Sequence, residues 1–196
     1  LGVAELRQPA AALLDNLYTS LDHPRDLVRV LDVRLEGAAA EEQRRELLHR
    51  IAALRDERLK DDAGAFVALS ALMPLEPEDA AIRRRWLDVG RRLGENQAMA
   101  QALLATADKA TSPTTRGEIL MEAAGLFRNR LDEVGRAEEV YRQVLAIDPD
   151  EPELVIPAAE ALAEIYQEES KHAQLAEVLG VQVWLVSDPD EAREIY

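Results

Sequence analysis

NRLDEVGRAEEVYRQVLAIDPDE, from Asn129 to Glu151, decides the fold of this 196-residue chain. Leu131, Ala137, Val140, Tyr141, Val144, Leu145 and Ile147 recur at intervals of three and four, which aligns them along one stripe of a helix. Such a stripe has to be buried. Gly135 lets the helix begin after a short connection. Asp148-Pro149-Asp150-Glu151 ends it, because proline cannot continue a helix and disfavours helical geometry in the residue before it. The acidic residues past the proline suit the positive N-terminus of a following helix.

Seventy-two residues earlier, ERLKDDAGAFVALSALMPLEPED (Glu57 to Asp79) matches this stretch position by position. Arg58 pairs with Arg130, Leu59 with Leu131, Ala65 with Ala137, Leu69 with Tyr141, Leu72 with Val144, Leu75 with Ile147 and Pro77 with Pro149. Size and polarity agree where packing demands it, so the chain contains an internal repeat.

Working outward, the whole chain divides into helical hairpins at about 8–38, 39–77, 78–111, 112–149 and 150–187, with 188–196 starting a truncated sixth. In the first, Leu13, Leu14, Leu17 and Leu21 are expected to face Leu27, Val30, Leu31 and Leu35 across a turn at Asp22-His23-Pro24, where Asp22 is placed to cap. The second has Leu47, Leu48, Ile51, Leu54 and Leu59 as its first stripe, and Pro74 predicts a stop or kink near Met73. The third sets Trp86, Val89 and Leu93 against Met99, Ala102, Leu103 and Ala105 across Gly94-Glu95-Asn96. Ser112 and Pro113 then open a helix carrying Ile119, Leu120, Ala123, Ala124 and Phe127. In the fifth, Leu162, Ile165 and Tyr166 meet Leu175, Val178, Leu179 and Leu185, and Pro157 predicts a late start or a kink. The hairpins also alternate. The first and fifth share DLVRVLDV and QLAEVLGV after a short turn, whereas the second and fourth share the connection ending at Ala65 and Ala137.

Composition agrees with close helix packing: 47% of residues are hydrophobic and only 4% aromatic, a core of Ala, Leu and Val. There is no cysteine, so neither disulfides nor thiolate metal sites exist. No signal peptide or bilayer-length apolar run is present, and we expect a cytoplasmic protein. A chain that starts at Leu1 without Met and stops at Tyr196 within a helical pattern is expected to be a piece of a longer one. A net charge of −15 argues against general binding to nucleic acid or to anionic membranes. Only three of the 23 basic residues are lysine, a bias of GC-rich genomes that points to a bacterial source, although an acidic halophile fits too.

These residues resemble the tetratricopeptide repeat family, whose unit pairs two helices and carries small residues at fixed places, an aromatic in the second helix and a terminal proline. Ala137, Tyr141 and Pro149 stand four and eight residues apart as that pattern asks, and Trp86 takes the family's first-helix tryptophan position. Leu69 replaces the aromatic in the second unit and Glu177 the small residue in the fifth, which leaves half-a-TPR repeats or another α-solenoid open. The resemblance implies an all-α, right-handed α-solenoid forming a single helical-repeat domain over 1–196, with first helices lining a concave groove.

No HExxH, CxxC, P-loop or GxSxG string occurs, and His23, His49 and His172 fall on three different units. No catalytic, cofactor or metal residues are assigned. The one concentrated feature is Arg83, Arg84, Arg85, Arg91 and Arg92 on a single helix of an acidic chain. Arg84, Asp88 and Arg91 share a face, and Arg50 of the neighbouring unit is expected to join them in gripping an acidic segment or C-terminal carboxylate. The competing reading is that these arginines neutralise Glu78, Asp79 and Glu95. The expected function is therefore a non-catalytic interaction module for a protein or peptide, of open oligomeric state. The alternatives are a structural spacer within a larger repeat protein or a regulatory helical domain of a multidomain enzyme.

Overall fold

The computed structural model describes residues 3–147 and 151–186, and within them every regular element is helical. The α-helices are α1 (Val3–Ser20), α2 (Pro24–Glu36), α3 (Glu41–Ala53), α4 (Asp62–Leu72), α5 (Ala80–Leu93), α6 (Asn96–Ala107), α7 (Pro113–Asn129), α8 (Val134–Leu145), α9 (Pro152–Glu168) and α10 (His172–Val186). The chain groups into two compact units, Leu1–Glu95 and Asn96–Tyr196. In the first, α1 to α5 each pack on the next in sequence; in the second, α6 to α10 do the same and α7 also touches α9. Both units are thus rows of antiparallel hairpins in which, among the described residues, each helix packs chiefly on its near neighbours, the packing of an α-solenoid. The boundary between the units falls between α5 and α6, the two helices that the sequence grouped as one hairpin.

Two kinds of turn alternate along the rows. After α1, α5 and α9 the left-handed residue is Asp22 (φ 53), Gly94 (φ 74) or Ser170 (φ 57), and the next amide donates five residues back: His23 N to Tyr18 O, Glu95 N to Gly90 O, Lys171 N to Tyr166 O. After the helical stretches ending at Leu59 and Asn129 the left-handed residue is Lys60 (φ 54) or Asp132 (φ 56). There the next amide reaches six back: Asp61 N to Arg55 O and Glu133 N to Phe127 O. Both closures satisfy carbonyls that the helix end leaves open. The alternation seen in the sequence is therefore carried by the backbone.

The stretch that decides the fold is buried as its spacing requires: Ala137 and Val144 are fully covered and Tyr141 nearly so, while Leu131, Leu145 and Ile147 lie half-buried at its ends. Asp148, Pro149 and Asp150 lie outside the described residues, as do Asp188 to Tyr196; α8 ends at Leu145, with Ala146 at its C-cap. Trp86 is fully buried, stacks on Phe66 at 5.4 Å between centroids and donates from Nε1 to Ser70 Oγ at 2.7 Å. A buried indole N–H needs such a partner. Gly117 lets α7 and α9 approach, because a Cβ there would lie 2.7 Å from the Leu154 side chain. Side-chain caps start α4, α5 and α7: Asp61 accepts from Gly64 N, Asp79 from Ala81 and Ile82 N, and Ser112 from Thr115 N.

Several expectations are corrected. Asp22 does not cap α2, since it occupies the left-handed turn position and His23 precedes Pro24 instead. Leu13, Leu17 and Leu21 do not face α2; α1 turns Ala11 and Asp15 inward, with Tyr18 half-buried beside them, and leaves those leucines in solvent. α1 also begins at Val3 rather than near Pro9, running through that proline. α9 starts at Pro152 and runs through Pro157 with no late start. After Ala53 the chain widens into a π-helix, Leu54–Leu59, which leaves Leu54 and Leu59 only half-buried. Leu93 and Leu179 are exposed, and α6 buries Ala100, Thr106 and Ala107 where Ala102 and Ala105 were expected. Pro74 acts as its position predicts, α4 stopping at Leu72 before a 3₁₀ turn over Met73–Leu75.

Candidate interaction face

Asp15 sits mid-helix in α1 and is almost completely buried, so its charge needs compensation from within the protein. Arg50 on α3 provides it in bidentate form, Nη1 to Oδ2 at 2.9 Å and Nη2 to Oδ1 at 2.5 Å, and Arg34 on α2 donates to Oδ2 as well. One carboxylate thereby ties three helices together. The hydrogen bond from Arg50, opposed by burial and helped by the charges of both arginines, holds the Asp15 carboxyl below the usual aspartate range.

The pattern recurs. Arg85 on α5 reaches back to Asp56 (2.7 Å), Glu57 (3.1 Å) and the Ala52 carbonyl (3.4 Å), and Arg92 grips Asp62 at 2.8 Å and 2.9 Å and Asp56 at 3.4 Å. In the second unit Arg128 on α7 donates to the Ala161 carbonyl, Glu164 and Glu168 of α9. Glu138 on α8 is nearly buried and meets Lys171 at 2.7 Å and Arg142 at 2.6 Å. Burial pushes its carboxyl up, but the hydrogen bond from Lys171 and the two cations outweigh burial and leave it below the glutamate norm. The partners in these clasps are separated by roughly one repeat: Arg50–Asp15 by 35, Arg92–Asp56 by 36, Arg128–Glu164 by 36, Lys171–Glu138 by 33.

The arginines singled out from the sequence therefore divide. Arg50 is held by Asp15 and is not free to grip a partner. Asp88 and Arg91 pair with each other at 3.2 Å on the solvent face of α5, both about half exposed. Arg84, one turn before Asp88, is exposed and makes no hydrogen bond or ion pair with a described residue. Of the acids near the cluster, Asp79 caps α5, while Arg85 and Arg92 serve Asp56, Glu57 and Asp62. Arg83 is buried, with its Nη1 toward the Pro77 carbonyl at 3.5 Å. Sequence reading missed Asp15 and Glu138 altogether. For Asp15 the available signal was that it is the lone charge between Gln8 and Leu21; for Glu138, that it lies inside a buried stripe.

Charge is also divided unevenly. Residues 1–95 hold 15 of the 23 basic and 18 of the 38 acidic residues, a net of −3, which leaves −12 on 96–196. Open hollows mark the surface of the described residues. About 550 Å³ lies around Ser112, Arg116, Gln143 and Ile147; about 430 Å³ around Asp22, His23, Asp26 and Arg58; and about 530 Å³ around Arg45, Glu76 and Asp79. Among the described residues no group of acidic, histidine or cysteine side chains is placed to hold a metal ion, and no helix is long and apolar enough to cross a membrane.

No family model matches the chain, and no curated protein matches it. Solved structures do. A MamA protein crystal structure is 13% identical with a TM-score of 0.48, covering 92% of each chain. The structure titled MamA RS-1 ArsTM double mutant is 14% identical with a TM-score of 0.46, over 93% of this chain and 98% of that one. MamA 41-end from Desulfovibrio magneticus RS-1 is 14% identical with a TM-score of 0.42, over 92% and 98%. At these values the fold rests on the hairpins of the chain itself.

Proposed function

We propose that this chain is a non-catalytic interaction module that receives a protein or peptide segment on the solvent face of α5, with Arg84 as the anchor for a carboxylate. The observation that carries this reading is the contrast on one helix: Arg85 and Arg92 are engaged by neighbouring acids, while Arg84 projects to solvent unpaired, a turn away from the Asp88–Arg91 pair. A guanidinium without an internal partner is free to bind a carboxylate bidentately. Arg91 assists by exchanging Asp88 for the incoming group, whereas Arg50 contributes only by holding α1 to α3. The near-neutral charge of residues 1–95 favours an acidic segment there over 96–196. The shifted carboxyls support a structural role for the remaining charges, since Asp15, Asp62 and Glu138 all owe their low values to arginine or lysine partners already in place.

The test is titration of a fluorescent peptide ending in several acidic residues. Saturable, salt-sensitive binding that Arg84→Glu with Arg91→Glu abolishes, and Arg29→Glu leaves intact, is the expected result. Equal binding by all variants would remove the site. A second reading, a spacer of fixed curvature, is favoured by the clasps between residues one repeat apart, which stiffen a row without offering a surface.

A further inference from the structure

The connections leading into α4 and α8 share one backbone closure, yet different forces hold them. Asp61 N donates to Arg55 O and Glu133 N to Phe127 O, so Arg55 and Phe127 occupy equivalent positions. Phe127 is fully buried, α7 runs on as an α-helix to Asn129, and the Arg136 guanidinium lies 4.1 Å above the Phe127 ring. A guanidinium cannot be sunk in that way without acids around it. At Arg55 the chain instead widens into the π-helix, and the side chain reaches Asp32 on α2 at 2.7 Å and Asp61 at 3.4 Å. Its Nε is buried and has no hydrogen-bond partner among the described residues.

Charge holds the π-helix together. None of its six residues is buried, so the apolar core does little to anchor it. Its four central residues, Arg55, Asp56, Glu57 and Arg58, are all ionised, and other elements clasp each of them. Arg55 is tied to α2 and the start of α4, and Asp56 to Arg85 and Arg92 of α5. Glu57 meets Arg85, and Arg58 meets Asp22 in the turn between α1 and α2. The side chains in these pairs are between 21 and 72% exposed, and so are open to counter-ions. Pairs of this kind are individually weak, and in molar salt their attraction is screened within about 3 Å.

We propose that Leu54–Leu59 is a charge-held hinge: salt that screens its ion pairs opens it locally, while α3 and α4 on either side stay folded. Opening takes both carboxylates from Arg85 and leaves Arg92 with Asp62. The hinge thereby offers a further guanidinium beside Arg84 as the grip of α5 on the preceding hairpin loosens. α3 and α4 persist because they pack through Leu47, Leu48, Ile51, Ala65, Leu69 and Leu72, whose burial does not depend on charge. The hinge rests on Arg55 to Arg58 and stands whether or not a partner binds α5.

The test is hydrogen–deuterium exchange of the whole chain, read by mass spectrometry from about 0.1 to about 1 M NaCl. Residues 65–72 of α4 and 126–133 of the equivalent connection serve as references within the same molecule. Exchange over 55–61 should speed up at least about tenfold relative to both. Asp56→Asn with Glu57→Gln should reach the fast rate already at the lowest salt, with both references and the far-UV circular dichroism unchanged. A salt response that is absent, or that 65–72 or 126–133 shares equally, overturns the proposal. A double variant that keeps the slow low-salt rate overturns it as well.

Discussion

Lys60 and Asp132, seventy-two residues apart, take the same left-handed backbone conformation, φ 54 and 56, and the amide after each closes on a carbonyl six residues back. Neither is glycine, so each turn carries strain that an L side chain adds. Aspartate tolerates this region better than lysine does. Lys60→Gly should therefore stabilise the chain, by roughly 0.5–1 kcal/mol, and Asp132→Gly by less. Urea midpoints of the two variants check the order.

Asp15 should be the most sensitive charged position in the first unit. Replacing it with alanine leaves two guanidinium groups facing a gap at the junction of α1, α2 and α3, with an expected loss of about 2–4 kcal/mol. Arg58→Ala removes a bond to Asp22 of similar length but between exposed side chains, and should cost under about 1 kcal/mol. Chemical denaturation of both separates the cases.

Acid should destabilise the protein through identified groups. Asp15 and Glu138 both titrate below their ordinary values in the folded state, so the stability they contribute is present above the carboxyl range of the unfolded chain and is lost as pH falls through their folded values. Urea midpoints should stay level down to about pH 5 and then fall. Asp15→Asn together with Glu138→Gln should lower the plateau and flatten the fall.

Two glycines should respond in opposite directions. Gly117→Ala forces a methyl into the buried Leu154 side chain between α7 and α9, at an expected cost of about 1–2 kcal/mol. Gly135, near the start of α8, has open space where a Cβ would go, and alanine there should add up to about 1 kcal/mol. Thermal melts of the pair give the sign directly.

Repetition made the fold legible. The match of 57–79 to 129–151 predicts two equivalent connections, and Lys60 and Asp132 turn out to be their hinge residues. The core was readable wherever a helix has a single apolar stripe, as with Ile119, Ala123 and Phe127. It misled on α1, which has two: spacing cannot say which of Leu13-Leu17-Leu21 and Ala11-Asp15-Tyr18 turns inward, and the answer lies in the arginines of α2 and α3 that Asp15 meets. The arginine cluster was visible as composition, but its division into clasps and a free Arg84 depends on partners such as Asp56 and Asp62, from twenty-nine to thirty-six residues away. The π-helix was not anticipated, because its surplus residue falls at the end of the α3 stripe, after Ile51 and Ala52, where no further buried position follows to show the offset.

That surplus residue has a consequence for how the chain tolerates length changes. Between Leu54 and Leu59 the backbone holds slack that a tighter coil would not need. Losing one residue there would let the segment wind into ordinary α-turns without opening the helix, yet it would swing Asp56 by about a quarter turn, out of reach of Arg85 and Arg92. The slack sets the aim of a single carboxylate, and with it the grip of α5 on the hairpin before it.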